Sequence, residues 1–179
     1  MLKKLGFYPL LFLLVTQLSA CGFHLRGMGS VGVLTFKSAQ IEVDAGVMPD
    51  IQAGLERQLK YSGVELLDNQ TAEVQIKLLA TNYTASRTTT SGLGDTTSEL
   101  LKMTQSFKVV DLVTGQNIVS DSSSVYRDRQ INTAAVLSSD SELRSIKKTM
   151  AEDLARQILD RIRRAMQAHS QASSQGEVK

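Results

Sequence analysis

The stretch Glu73-Val74-Gln75-Ile76-Lys77-Leu78 decides the fold of this chain, because polar and apolar residues alternate through it without interruption. Side chains of a β-strand point alternately to the two faces of a sheet, so this pattern predicts a strand with one face on a core. The β-prone pattern continues through Tyr83 to Thr90, but there it has no apolar face. We therefore expect a strand that continues past its own core and either protrudes from the domain or is covered by another surface.

Two further strands are predicted to follow in hairpin order. The turn at residues 91–95 leads into a returning strand over residues 97–113, and the turn that ends at Gly115 leads into a strand over residues 118–131. The last strand has serines where bulky side chains are expected, so its middle offers small polar contacts. The apolar face of the returning strand comprises Leu101, Met103, Phe107 and Val109.

A strand, helix, strand unit precedes these hairpins. The segment 31–44 is strand-like, most clearly where polar and apolar residues alternate over residues 40–44. A helix is predicted to begin near Pro49, because proline is well suited to the first turn. Gly63 ends this helix, and a short strand over residues 64–68 follows. The apolar stripe of the helix recurs every four residues, at Ile51, Leu55 and Leu59.

The longest predicted element is a helix near the C-terminus. Ser139 and Glu142 have the spacing of a capping box, and apolar residues follow at helical spacing up to Met166. Seven basic and three acidic residues between Leu143 and Arg164 indicate a solvated face, with a phosphate- or membrane-binding surface as the alternative. The tail 168–179, rich in Ser, Gln and Ala, is predicted to be disordered.

Together these elements predict one α+β domain over residues 31–167. The strands and the helices each supply one apolar side, which is the requirement for two packed layers. We expect a two-layer sandwich, with a sheet of about four main strands and two helices packed on one face.

The N-terminus has the features of a lipoprotein signal peptide over residues 1–20. Lys3 and Lys4 precede an apolar run over residues 5–18, and Leu18-Ser19-Ala20 then leads directly into Cys21, a pattern that resembles a bacterial lipobox. Cys21 would carry lipid on its thiol and its amine, and residues 21–30 would form the tether. The alternative is a soluble periplasmic protein with a free thiol. Gly22, in place of aspartate, indicates an outer-membrane address in the enterobacterial sorting scheme.

Composition argues against several classes of function. Without residues 1–20, the chain has 18 basic and 18 acidic residues, so a general attraction to nucleic acid is unsupported. His24 lies beside the lipidation site and His169 in the tail, so neither is placed to act as a buried catalytic base. We expect no enzyme activity, no metal site and no cofactor.

Two motifs resemble the LptE family of lipopolysaccharide-assembly lipoproteins. The first is Cys21-Gly22-Phe23-His24-Leu25-Arg26-Gly27, and the second is Gln58-Leu59 followed by Gly63-Val64-Glu65-Leu66-Leu67-Asp68. The resemblance implies a plug inside the lumen of the outer-membrane β-barrel LptD, anchored by lipid on the periplasmic side of the cell outer membrane. It also implies roles in assembling that barrel and in delivering lipopolysaccharide to the outer leaflet.

The resemblance further implies lipopolysaccharide contacts through basic residues. Arg87, beside the turn at Gly92, is the basic residue nearest the family's site at the strand tip. Where relatives have a lysine before the last helix, this chain has Ser138-Ser139-Asp140, which weakens a two-residue basic site. An ordinary surface charge is the alternative for each candidate. The further candidates on the same strands are Lys102, Arg127 and Arg129.

A second class of function competes with the plug. A free-standing lipoprotein that binds envelope glycolipid or peptidoglycan needs no barrel partner. The two hypotheses differ in whether a large barrel is extracted together with the lipoprotein.

Overall fold

The computed structural model describes residues 34–68, 71–90, 92, 96–131 and 136–176. The predicted signal peptide, Cys21 and the predicted tether lie outside the described residues, as do residues 91 and 93–95 of the predicted turn. In chain order the elements are β1 (Ser38–Val43), α1 (Pro49–Tyr61), β2 (Glu65–Leu66), β3 (Val74–Leu78), β4 (Asn82–Thr90), β5 (Thr96–Asp111), β6 (Asn117–Gln130) and α2 (Val136–Gly176).

The strands form one mixed sheet. β1 lies between β2 and β3 and is parallel to both, which agrees with a helical crossover through α1. β5 is the central strand of the antiparallel half, because one of its edges pairs with β3 and then β4, and the other edge pairs with β6. A single long strand therefore joins the parallel half of the sheet to the antiparallel half.

The core lies between the sheet and the two helices, which confirms the predicted two-layer α+β sandwich. The described sheet has six strands, compared with the prediction of about four main strands. Residues 79–81 divide one predicted strand into β3 and β4, and β2 is a short edge strand of two residues. The predicted apolar faces are buried as expected. The fully buried large side chains of the sheet are Ile76, Leu78, Leu101, Met103 and Phe107.

Helix α1 begins and ends where the sequence predicts. Pro49 is in its first turn, and its predicted apolar stripe is fully buried. At its end the N–H of Val64 donates to the Leu59 carbonyl and the N–H of Gly63 donates to the Lys60 carbonyl, both at 3.0 Å, which is the Schellman arrangement. Gly63 has φ +80°, a conformation that costs other residues about 1 kcal/mol or more.

Helix α2 is longer than predicted at both ends. It begins at Val136, so the predicted capping box is wrong: Ser139 lies inside the helix, and its hydroxyl accepts from Arg129 of β6. The helix also continues through Ala168 to Gly176, where we predicted a disordered tail. Ala and Gln are good helix formers, and adding residues to an existing helix avoids the cost of nucleation. In the part of the chain that the structure describes, no helix combines the length and the apolar run needed to cross a membrane.

The two helices approach each other closely at Gly54 of α1. A Cβ atom built on Gly54 would lie 3.0 Å from the Cβ of Ala155 of α2, which is closer than ordinary van der Waals contact. Ala151 and Ala155 are fully buried at this crossing. Small residues on both helices therefore set their separation.

Gly54→Val should destabilise the domain by about 1–3 kcal/mol, because the added methyl groups must push α1 away from Ala155. Urea denaturation monitored by circular dichroism gives the free energy of unfolding. Lys60→Val, at an exposed position of the same helix, controls for the helix propensity of valine and should cost under about 1 kcal/mol. Equal losses in the two variants would contradict a tight helix crossing.

Candidate functional site

The antiparallel half of the sheet has one face that neither α1 nor α2 covers. Because Leu101, Met103, Gln105 and Phe107 of β5 are buried on the helix side, the residues that alternate with them point to the opposite face. We call this surface the open face. From Leu100 to Lys108 of β5, the register of β4 and β6 against β5 assigns thirteen residues to it, of which Leu100 is apolar: Asn82, Thr84, Ser86, Leu100, Lys102, Thr104, Ser106, Lys108, Ser120, Ser122, Ser124, Tyr126 and Asp128.

The open face is polar and carries few charges. The hydroxyls of Thr104 and Ser124 lie 2.8 Å apart and share a hydrogen bond across β5 and β6. The Lys102 ammonium lies 5.6 Å from the centre of the Tyr126 ring, and Tyr126 is 51% exposed. Hydroxyl groups both donate and accept hydrogen bonds, so this surface suits a polar partner of either charge.

The break between β3 and β4 is held by Gln105, a residue that the sequence analysis missed. Its side chain is fully buried, and its amide group donates to the Leu79 carbonyl at 2.5 Å. Its carbonyl accepts from the Thr81 hydroxyl at 2.7 Å, and that hydroxyl also accepts from the N–H of Met48 at 2.9 Å. The polar interruption of the apolar face at Gln105 was the available signal, since a buried amide needs partners that regular strands do not supply.

Arg129 of β6 is a buried residue and points toward α2. It is only 7% exposed, and its guanidinium donates to the Ser139 carbonyl at 2.8 Å and lies 3.5 Å from the Glu99 carboxylate. Burial raises the pKa of the neighbouring Tyr83 hydroxyl, and the charge of Glu99 raises it further. The Lys147 ammonium lies 4.3 Å from the centre of the Tyr83 ring. This cluster attaches Ser139 and Lys147 of α2 to strands β4, β5 and β6.

Two more ion pairs connect β6 to α2. Arg127 pairs with Asp153, and Asp121 pairs with Arg161. Burial would raise the pKa of Asp121, but the hydrogen bonds from Arg161 and from the N–H of Ser122 outweigh it, so the pKa lies below its ordinary value. The charges of β6 that face α2 therefore serve contacts within the domain.

The structure does not bring the four predicted lipopolysaccharide-binding residues onto one surface. Lys102 lies on the open face, whereas the register places Arg87, Arg127 and Arg129 on the helix side. Arg127 and Arg129 are engaged with α2. Arg87 is exposed and has no ion-pair partner among the described residues. Of these four residues, only Arg87 and Lys102 are therefore available to bind a ligand.

The described surface of the helix layer carries paired charges. No cluster of three or more His, Cys, Asp or Glu side chains occurs within the described ranges. A polar groove between α1 and α2 contains Arg57 and Arg156, each of which has an acidic neighbour: Glu152 lies 3.6 Å from Arg57, and Asp153 contacts Arg156. These pairs agree with a solvated helix face.

Arg129→Ala should destabilise the domain by about 2–4 kcal/mol, because it leaves the half-buried Glu99 without its partner and frees the start of α2. Thermal and urea unfolding measure the loss. Arg87→Ala removes the same side chain from an exposed position and should change the free energy of unfolding by under about 0.5 kcal/mol. Similar losses in both variants would show that Arg129 does not hold the two layers together.

Solved structures of bacterial lipoproteins share this fold. The solution structure of lipoprotein B from Nitrosomonas europaea has a TM-score of 0.64 and 20% identity, covering 79% of this chain and 90% of that one. The crystal structure of rare lipoprotein B from Shewanella oneidensis has a TM-score of 0.57 and 16% identity, covering 79% of this chain and 98% of that one. At these identities the likeness shows the fold alone. A minor lipoprotein from Acinetobacter baumannii is 26% identical with a TM-score of 0.57, covering 73% of this chain and 92% of that one.

The sequence itself matches a family model over most of the domain. The model is that of LptE, described as lipopolysaccharide-assembly, and it matches residues 30–162. That range contains every strand of the sheet, all of α1 and the buried stripe of α2. The chain therefore belongs to the LptE family of lipopolysaccharide-assembly lipoproteins.

Proposed function

We propose that this chain plugs the outer-membrane β-barrel LptD, helps to assemble it and assists delivery of lipopolysaccharide to the outer leaflet. Membership of the LptE family supports the general role in lipopolysaccharide assembly. The protein acts without catalysis, as a structural partner. Acylation of Cys21 anchors it to the outer membrane from the periplasmic side, because several buried acyl chains hold a protein stably at about 0.8 kcal/mol per methylene.

The open face is the observation that supports a barrel as the partner. An uncovered sheet face usually exposes side chains that water solvates well, such as charged residues. Here most of the residues carry hydroxyl or amide groups, from Asn82 on β4 to Ser124 on β6. The interior of an outer-membrane barrel is polar, and short hydroxyl side chains can approach such a wall closely and exchange hydrogen bonds with it.

Lipopolysaccharide contacts belong to Arg87 and Lys102 in this proposal. Both side chains are exposed, and guanidinium and ammonium groups bind the phosphates of lipid A. Arg127 and Arg129 support the site indirectly, since their guanidinium groups are engaged with α2. The two available cations lie on opposite faces of the sheet, so they contact different parts of a ligand or act at different stages of delivery.

Thr84→Arg should weaken the complex with the barrel about tenfold while leaving the domain folded. Thr84 is exposed on the open face and is the cross-strand neighbour of Lys102, so the new side chain adds both bulk and like charge. The acylated protein with a C-terminal tag is extracted in mild detergent, and the retained barrel is quantified by mass spectrometry. Gln157→Arg makes a similar change on the exposed surface of α2 and should retain the barrel.

A monomeric lipoprotein with bound glycolipid, recovered from the unmodified chain without any barrel, would contradict the plug. Equal retention by Thr84→Arg and Gln157→Arg would leave the plug in place but would show that the open face is not the contact surface.

A further inference from the structure

The outer edge of β6 is the longest regular unpaired edge in the described sheet. At the opposite end of the sheet, the edge strand β2 has only two residues. The free edge of β4 is interrupted by register shifts between Arg87 and Thr90. By contrast, β6 pairs with β5 without a shift from Val119 to Gln130, and its sequence contains no proline or lysine there. Natural proteins usually shorten, bend or charge such edges, and the charged residues of this one are Asp121, Arg127, Asp128 and Arg129.

The hydrogen-bond directions identify which residues of β6 face outward. The Ser106 carbonyl of β5 accepts from the N–H of Leu79 at 3.0 Å, so the main chain of Ser106 points toward β3 and away from β6. Ser122, the neighbour of Ser106 on β6, therefore directs its own N–H and C=O groups to the outer edge. Alternation along the strand gives the same direction to Ser120, Ser124, Tyr126 and Asp128.

Side chains already occupy two positions on this edge. The N–H of Ser122 donates to the Asp121 carboxylate at 2.7 Å, and the Tyr126 carbonyl accepts from the Arg127 guanidinium at 2.8 Å. Both capping side chains are held by ion pairs to α2, through Arg161 and Asp153 respectively. Each cap occupies a single main-chain group, the N–H of Ser122 or the C=O of Tyr126, and the main-chain groups of Ser124 between them are left open.

Ser124 lies between the two caps. Neither its N–H nor its C=O has an outward main-chain partner among the described residues. Its side chain and those of Ser120 and Ser122 are small, so a neighbouring strand could approach without a steric barrier. An edge with N–H and C=O groups at the strand repeat is the surface that an extended peptide segment recognises.

We propose that the β6 edge from Ser120 to Asp128 docks an extended segment of the barrel partner as an added strand, centred on Ser124. This inference rests on the proposed function and specifies how the partner is held. The outward main-chain groups belong to the same residues whose side chains form the β6 part of the open face, so an added strand continues that surface. The contact spans about 30 Å, given about 3.4 Å per residue.

Ser124→Pro tests the main chain at the centre of this edge. Proline removes an N–H that the β5–β6 ladder does not use, and it is tolerated at such edge positions. Ser124→Ala is the matched control, since it loses the hydroxyl that contacts Thr104 but keeps the N–H. In the detergent extraction described above, Ser124→Pro should retain at least about tenfold less barrel than Ser124→Ala. Circular dichroism checks that both variants are folded.

Hydrogen exchange of the unmodified protein gives a readout that needs no variant. Formation of the barrel complex should slow exchange of the Ser124 and Asp128 amides at least about tenfold. The Ser123 amide faces β5 and is already bonded in the free protein, so its exchange should change less. Both results together would support an added strand.

Three outcomes would overturn the proposal. The first is equal barrel retention by folded Ser124→Pro and Ser124→Ala. The second is unchanged exchange at Ser124 in the complex. The third is a dimer of the isolated protein, detected by sedimentation, that Ser124→Pro disrupts, because the edge would then hold a second copy of the chain. If Thr84→Arg still weakens the complex in any of these cases, the plug and its open face stand without the added strand.

Discussion

The apolar face of β5 is the constraint on which the rest of the structure depends. β5 is the strand that pairs with β3, β4 and β6, and its buried side chains require a cover along much of its length. The two helices supply that cover on one face, and Gly54 and Ala155 let them pack close together. Because both helices lie on the same side, neither of them covers the other face of β4, β5 and β6.

Polar contacts then fix how the helix layer lies on the sheet. Hydrophobic burial is not directional, so it holds α2 on the sheet without specifying its position. The ion pairs of Arg127 and Asp121 are partly exposed and contribute little stability individually, whereas Arg129 is buried and bonds directly to the first turns of α2. Their main effect is to align α2 with β6. The same alignment holds the side chains that cap the β6 edge.

This arrangement connects fold and function in one asymmetric sheet. Its helix side is closed by a core and by charge pairs, and its other side is rich in hydroxyl groups. In the plug that we propose, a domain built in this way offers its open face to the polar wall of the barrel. Cations that would otherwise favour anionic ligands in general, such as Arg127 and Arg129, are engaged within the domain.

The sequence by itself determined the elements whose signals are local. Alternation identified β3 and the buried face of β5, and the four-residue spacing identified α1 and the stripe of α2, because each pattern reflects one face of one element. Only the tertiary structure decided the partners of Gln105, Arg127 and Arg129 and the true start of α2 at Val136. In the sequence, Gln105, Arg127 and Arg129 resemble ordinary polar surface residues. Their partners are distant along the chain, so no local pattern indicates them. Burial follows from local periodicity, whereas pairing of polar groups depends on which elements the fold brings together.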